Sequence, residues 1–470
     1  MERAMKRIEW IIFFLIFGFS MLLRVWKYEQ IPYQTDGDEM AYVFAGQSLV
    51  DFGEPISWSS FTYPKKQVYR HVVVGNKNLY ASGEYTLVRP WFDHPYLLPI
   101  IQGWTSQLFG YHFYSVPPSL IIRLPMLFLA AATLALTFAI SRHLYGIKGG
   151  YFSLALMGLT PSLSFGQRMV VGDNLFIPLM LAAIYCILKN KHTIFPILFL
   201  GMAALSKITG LIAFPIALLP LVVAGEYKRA IKIGFGGLCL FLGLLMFYGG
   251  FHGWTQFVTM MTTQTYRLVG WSNPAFILSH PGFQNKTILD AGYYLILMFG
   301  IFPLLRDQKK QHRWVPIAVL LAGTLVWITG AEQDMLGWYK LTFFTMLSIS
   351  SGLMLEGGFS SFVSVLVWIA GINNIGLVRF PTHPLPSTET LRVAVGALLI
   401  GTYLLHVLPS KFEKRLKNIV LISGFVFYGG VSLYTMHNYF RASCESRNCP
   451  TPEMTMGMGV KNIVKWILRK

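Results

Sequence analysis

Two adjacent carboxylates, Asp38 and Glu39, follow the first apolar segment of the chain in the stretch TDGDEMAYVFAGQSLVDFGEP. Apolar and small residues come after them at helical spacing, at positions 41, 44, 45, 48 and 49. This spacing predicts a helix that rests one face on an apolar surface and holds the acidic pair at the membrane boundary. A carboxylate in that place is suited to a reaction between a lipid-borne substrate and an aqueous one.

Further polar residues fall on the same predicted side of the membrane. They are His94, Arg123, Arg168, Asp173, Lys207, Tyr266 and Arg267. Cations beside two acids could hold a phosphate next to a general base. Each residue also has a simpler interpretation: Asp173 as the N-cap of a helix, His94 as the partner of a loop carbonyl, and the arginines as side chains that snorkel to lipid headgroups.

The composition is that of an integral membrane protein. Of 470 residues, 54% are hydrophobic and only 13% are charged, whereas soluble domains carry about 25% charged residues. The net charge of +18 does not indicate nucleic-acid binding, because the Lys and Arg clusters all fall on one side once the apolar runs are threaded through a bilayer. This pattern predicts a cytoplasmic N-terminus. The first apolar run has no small-residue cleavage site after it, so we expect an uncleaved first span.

The elements that must position these residues are membrane helices. Apolar runs of sufficient length number about thirteen, at 8–25, 119–140, 149–163, 174–189, 193–206, 208–224, 233–251, 289–305, 315–330, 340–356, 360–377, 391–409 and 419–435. The sequence therefore predicts an all-α polytopic membrane protein. Residues 1–435 would form the transmembrane domain, and the tail 436–470 would lie outside.

Two long outer loops separate the spans, at 26–118 and 252–286. Long loops are commonly functional. The apolar stretch 96–109 in the first loop is too short to cross the bilayer and predicts a second interfacial helix. In the tail, the spacing of Cys444 and Cys449 allows a disulfide in an oxidising compartment. Cys186 and Cys239 fall within spans and are predicted to be buried thiols.

The order of several motifs resembles the polyprenyl-phosphate-sugar-dependent glycosyltransferases of the GT-C class, which include protein O-mannosyltransferases and the lipid A aminoarabinose transferase. The motifs are DGDEMAY, FDHPYLLPIIQGWTSQLFG, RLPMLFLAAATLALTFAISRHLYG, RMVVGDNLFIPLMLAAIY and GMAALSKITGLIAFP, all within residues 8–225. The second half of the chain is similar only in its number of spans and in the segment around Tyr266.

The resemblance implies a role for individual residues. Asp38 would be the general base, with Glu39 beside it; Asp173 would be the acid before the fourth span; and Arg267 would bind the donor phosphate. Relatives often have Lys-Pro or Pro-Pro where this chain has Asp93-His94-Pro95. His94, Lys207 or Arg267 would then have to meet the phosphate.

The implied function is an inverting transfer of a sugar from a polyprenyl-phosphate donor to a protein, lipid or glycan at the extracytoplasmic face of a prokaryotic cell membrane. This scheme requires no metal, although the use of a divalent metal stays open, and it needs no partner beyond lipid, donor and acceptor. Other classes remain open at this stage. A transporter or lipid flippase would place ionisable residues at mid-membrane depth. A further alternative is a non-catalytic membrane scaffold or a polymer ligase; an O-antigen-type ligase would use arginines and a histidine in a large outer loop.

Overall fold

The computed structural model describes residues 5–32, 37–74, 83–265, 277, 291–305, 309, 312–328 and 337–356, together with 426, 429, 430, 432–437, 439–441, 458 and 461. Within these residues the predicted all-α polytopic fold is confirmed. The predicted spans 360–377 and 391–409, most of 419–435, and the Cys444–Cys449 pair lie outside the described residues.

The helices follow the apolar runs of the sequence. They are α1 (Arg7–Val25), α2 (Asp38–Phe52), α3 (Leu97–Leu108), α4 (Ser119–Ile122), α5 (Leu124–Leu159), α6 (Pro161–Gly166), α7 (Gly172–Leu188), α8 (Ile194–Ser206), α9 (Ala213–Ala224), α10 (Tyr227–His252), α11 (Trp254–Thr265), α12 (Ala291–Ile301), α13 (Trp314–Ile328) and α14 (Leu341–Ser351). Short 3₁₀ turns occupy Lys65–Gln67, Ile208–Ile212, Phe302–Leu305, Gly337–Lys340 and Gly352–Glu356. Among the described residues, three segments are long and apolar enough to cross a bilayer: Arg7–Val25, Ser119–Leu159 and Tyr227–His252.

Helix α5 contains two of the predicted spans, folded back on each other. The backbone reverses at Gly146, whose φ of 77° and ψ of 179° break the helix. The rings of Phe138 and Tyr151 then stack 5.6 Å apart, and Thr137 donates to the sulfur of Met157 over 3.4 Å. These contacts pair residues on either side of the turn, so the two arms are antiparallel, as the separate spans 119–140 and 149–163 predict.

Large apolar side chains remain exposed along α10, where Phe235, Phe247 and Phe251 are each about 70% accessible. An apolar face of this extent fits contact with lipid. Cys239 is exposed on the same helix and Cys186 on α7 is half-buried, so the prediction of buried thiols is wrong for Cys239.

The first outer loop contains a small sheet, formed by β1 (Ser57–Trp58), β2 (Val68–Val74) and β3 (Gly83–Val88). The order is β1-β3-β2, with both pairings antiparallel and a register irregularity between Val68 and Arg70. The loop also contains α2 and α3, the two helices that the sequence predicts there.

The surroundings of α2 differ from the prediction, because residues 39–48 are buried on every side by protein rather than resting one face on the bilayer. Gly46 makes this burial possible: a Cβ there would lie 1.9 Å from the Pro99 carbonyl oxygen of α3, and one at Gly103 would lie 2.1 Å from the Gly46 carbonyl oxygen. Helix α3 leaves Trp104 and Leu108 exposed, which fits its predicted place at the interface.

Candidate active site

The N-terminus of α2 brings Asp38 and Tyr42 onto one face, because residues four apart are neighbours on a helix. Asp38 is partly exposed and Tyr42 is buried. Burial raises the pKa of the Tyr42 hydroxyl well above its usual value, and the charges of Asp38, Asp173 and Tyr339 raise it further. Asp38 and Asp173, which are 135 positions apart in the sequence numbering, therefore act on the same hydroxyl and lie in one cluster.

Asp173 forms a buried ion pair with Lys207, with 2.7 Å between Oδ2 and Nζ. Helix α7 begins at Gly172 with Val171 as its N-cap, so the alternative interpretation of Asp173 as an N-cap is wrong. The preceding glycine permits the pairing, since a Cβ at Gly172 would lie 2.9 Å from the Cβ of Lys207. The Lys207 ammonium also lies 4.2 Å from the ring centre of Tyr339.

Lys207 sits at the tip of a short helical hairpin. It has extended backbone angles between the end of α8 and the 3₁₀ turn that leads into α9. The 13 residues of α8 rise by about 20 Å, less than the ~30 Å hydrocarbon layer.

His94 covers the other side of Tyr42. The two rings stack with centroids 5.1 Å apart and planes 22° apart, and the His94 ring meets Trp91 at a distance of 5.8 Å. Like Asp38, His94 is only partly buried. The structure thus brings His94 against Tyr42, on the helix that carries Asp38.

Asp93 is a member of this cluster to which the sequence analysis gives no role. It is buried and accepts a hydrogen bond of 3.0 Å from the hydroxyl of Tyr63. Burial raises the pKa of Asp93 to about 7; hydrogen bonds from Ser59 and Tyr63 oppose the shift, and the charge of Asp38 adds to it. The signal in the sequence is its place in the polar step FDHP, directly before the apolar stretch that forms α3.

Glu39 faces away from this cluster and is fully engaged. Arg123 grips it through two contacts, Nη2 to Oε2 at 2.9 Å and Nε to Oε1 at 3.2 Å. The amide of Val170 donates to Oε1 over 3.0 Å, and the Arg123 guanidinium also reaches the carbonyls of Tyr28 and Pro32. Both side chains are at most 1% exposed. The pair joins α2, the start of α5 and the segment before α7.

Arg168 is equally buried and donates to three backbone carbonyls, those of Leu23, Trp26 (2.9 Å) and Ile31 (3.0 Å). The alternative that Arg123 and Arg168 snorkel to headgroups is wrong, since neither is exposed. A phosphate at Arg168 would have to displace the contacts that close the end of α1, so its predicted role in phosphate binding gains no geometric support.

Two predicted site residues, Tyr266 and Arg267, lie outside the described residues. Within the part of the chain that the structure describes, no group of three or more His, Cys, Asp or Glu side chains is arranged to hold a metal ion. Tyr42 is a residue of the cluster that the sequence analysis does not single out, because a tyrosine within an apolar helix is normally a core residue.

Comparison with known proteins fits this arrangement. The sequence profile of the family "dolichyl-phosphate-mannose-protein mannosyltransferase" matches residues 93–249, about a third of the chain, which include Asp93, Asp173 and Lys207. Among curated proteins, no sequence matches the chain significantly.

Solved structures give a longer match. ArnT from Cupriavidus metallidurans bound to undecaprenyl phosphate has a TM-score of 0.54 and 13% identity, over 93% of this chain and 77% of that one. Its apo structure gives 0.52 and 16%, over 92% and 77%. The Archaeoglobus fulgidus oligosaccharyltransferase gives 0.47 and 12%, over 84% and 55%.

The predicted resemblance is thereby confirmed: the chain is a polytopic membrane protein with the fold of the GT-C glycosyltransferases. At this level of identity the structural likeness defines the fold, and the family profile adds a sequence similarity over residues 93–249.

Proposed function

We propose that the protein transfers a sugar from a polyprenyl-phosphate donor to an acceptor at the extracytoplasmic membrane face, with inversion at the anomeric carbon. One observation carries the proposal: a partly exposed carboxylate, Asp38, lies in one electrostatic cluster with the buried Asp173–Lys207 pair. The matched family is described by a lipid-phosphate sugar donor, and the ArnT structure with this fold holds undecaprenyl phosphate. Both support the same class of donor.

In this proposal Asp38 is the general base. The acceptor oxygen or nitrogen attacks the anomeric carbon and gives its proton to the Asp38 carboxylate. The bond between the anomeric carbon and the phosphate oxygen breaks, and polyprenyl phosphate leaves with the electron pair. Asp38 is suited to this role because it is partly exposed, so an acceptor can reach it, whereas Glu39 has both oxygens occupied.

The departing phosphate needs cations. Lys207 supplies one at the tip of the α8–α9 hairpin, and Asp173 acts as a positioning residue that fixes the ammonium through the 2.7 Å contact. His94, whose ring stacks on Tyr42, is proposed as a second donor. Arg267, in the second long loop of the sequence, stays a prediction as a bidentate phosphate ligand.

The test is turnover with defined donors. Purified protein is incubated with polyprenyl-phosphate sugars and a mixture of acceptors, and consumption of each donor is measured. Asp38→Asn should stop consumption of the preferred donor, whereas Glu84→Gln, a matched change at an exposed acid of the same outer loop, should not. Movement of the lipid across liposomes without consumption of sugar would instead support a flippase.

The proposed orientation is tested by cysteine labelling. In a background without native cysteines, Lys66→Cys in the first long loop should react with an impermeant reagent added outside cells, and Lys228→Cys at the start of α10 should not. Both positions are exposed in the structure, so accessibility reports the side of the membrane. Equal labelling of both from outside would contradict the positive-inside assignment.

A further inference from the structure

An aromatic side chain that the proposed mechanism does not use lies directly against the catalytic helix. Trp58, on β1, packs the six-membered edge of its indole on Gly37, the residue before Asp38. A Cβ at Gly37 would lie 2.6 Å from Cζ3 and 2.8 Å from Cη2 of that ring. Glycine at position 37 therefore lets the indole approach the backbone from which Asp38 projects.

The indole is held in place by its neighbours. Tyr85 on β3 meets it edge-to-face, with centroids 5.6 Å apart and planes at 87°. Ser57 donates to the Ala41 carbonyl of α2 over 2.6 Å, and Trp58 pairs with Leu87 where β1 meets β3. The strand that carries Trp58 is thus tied to α2 and to β3, yet Trp58 itself is only partly buried.

We propose that Trp58 forms an aromatic wall of the pocket that receives the sugar ring of the donor. This inference rests on the proposed function and deepens it. Pockets for small ligands combine a few placed polar groups with aromatic walls, and an indole offers a large rigid surface to the C–H face of a sugar. The sugar must lie close to Asp38 because its anomeric carbon reacts there, and Trp58 contacts the adjoining residue.

The position of Trp58 favours the sugar over the lipid part of the donor. It belongs to the sheet in the long loop that follows α1, whereas Lys207, the proposed phosphate ligand, lies at the tip of the hairpin between the apolar helices α8 and α9. A donor with its phosphate at Lys207 and its anomeric carbon at Asp38 would extend its sugar toward the sheet. The prenyl chain would extend the other way, into the bilayer.

The experiment compares the binding of two lipids to the full-length protein in nanodiscs: a polyprenyl-phosphate sugar that the wild-type protein consumes, and the same polyprenyl phosphate without sugar. Trp58→Ala should weaken binding of the sugar lipid about tenfold, because it removes a large rigid apolar surface from the pocket. Binding of the bare lipid should change less than about twofold on the same scale. Trp58→Phe should restore part of the loss, and Trp104→Ala, at an exposed tryptophan of α3, is the matched control.

Three results would overturn the inference. An equal loss of affinity for both lipids would make Trp58 a purely structural support of α2. Unchanged binding of both, with a raised KM for the acceptor alone, would place the acceptor rather than the sugar at the indole. If the wild-type protein consumes none of the polyprenyl-phosphate sugars offered, the proposed function itself fails, a result that is distinct because it appears before any variant is made.

Discussion

Asp38 and Glu39 are neighbours with the same charge, and the fold treats them in opposite ways. Glu39 is enclosed and bound by a guanidinium and an amide. Asp38 stays partly exposed among Asp93, Asp173 and Lys207. Successive side chains on a helix point about 100° apart. This difference in direction places the Glu39 carboxylate in the contact with Arg123 and the Asp38 carboxylate in the candidate site.

The difference shows how one helical turn can combine a fixed joint with a carboxylate that stays accessible. The Glu39–Arg123 pair fixes the first turn of α2 to α5 and to the segment that leads into α7. Asp38 is placed by that joint without belonging to it. We therefore expect changes at Glu39 to act on stability and changes at Asp38 to act on turnover.

Breaking the joint should have the largest effect. Glu39→Gln keeps the shape and leaves the Arg123 charge buried without its counter-ion, a change that destabilises proteins by about 3–5 kcal/mol. The apparent melting temperature in detergent should fall steeply, or the variant should fail to accumulate. The double variant Glu39→Gln/Arg123→Gln removes the orphaned charge and should recover part of the loss. A melting temperature equal to wild type in the single variant would contradict the structural role of Glu39.

The second prediction concerns Asp38 and sharpens the contrast. Asp38→Asn removes a base and retains hydrogen bonding, so turnover should fall by about 10² or more. The apparent melting temperature should stay the same or rise, because a charge among other acids is removed. Parallel assays of turnover and thermal unfolding on Asp38→Asn and Glu39→Gln check this. Near-normal turnover of Asp38→Asn would show that the base lies elsewhere.

A smaller effect, on donor binding, is expected at the Asp173–Lys207 pair. This pair is buried like Glu39–Arg123, but it is proposed to bind the phosphate of the donor. Lys207→Met and Asp173→Asn should each weaken donor binding, and the two changes should be non-additive by about 1–3 kcal/mol, because they remove one contact. A double-mutant cycle on donor affinity measures this coupling. Additive effects would mean that Asp173 does not position Lys207 for the phosphate.

Apolar periodicity and charge bias predict much of this fold. The spans on either side of Gly146 and the helix that begins at Asp38 follow from the sequence. In a bilayer, the backbone N–H and C=O groups must form hydrogen bonds within the protein, and a helix achieves this within one segment. The enclosure of α2 does not follow from it. That enclosure depends on Gly46 and Gly103 meeting across two helices, and helical spacing alone cannot distinguish a lipid surface from a protein one.

The candidate site could be predicted in part. Asp38, His94, Asp173 and Lys207 stand out as polar residues at the ends of apolar runs, and the structure places them around Tyr42. The structural roles of Glu39 and Arg168 depend on the backbone groups that they contact. Glu39 accepts from the amide of Val170, and Arg168 donates to the carbonyl of Ile31. Such partners are distant in sequence. Residue type alone therefore cannot tell which of Asp38 and Glu39 belongs to the site, or whether Arg123 or Arg168 can bind a ligand.

The smallest predicted effect links the two acids that share the site. The folded-state pKa of Asp93 is about 7, above its usual 3.8, mainly because of burial and partly because of the Asp38 charge. The folded protein therefore keeps the Asp93 proton over a pH range in which the unfolded chain has lost it. The contribution of this proton to the free energy of unfolding is complete below about pH 4 and is lost as the pH rises through 7.

Asp38→Asn removes one contribution to that shift, so the decline should move to lower pH by less than about one unit. The measurement is the apparent melting temperature as a function of pH for wild type, Asp38→Asn and Asp93→Asn. The difference between wild type and Asp93→Asn isolates the Asp93 proton from every other titration. If Asp38→Asn leaves the midpoint of that difference where it is in wild type, the two carboxylates do not interact, and the cluster around Tyr42 is looser than the structure indicates.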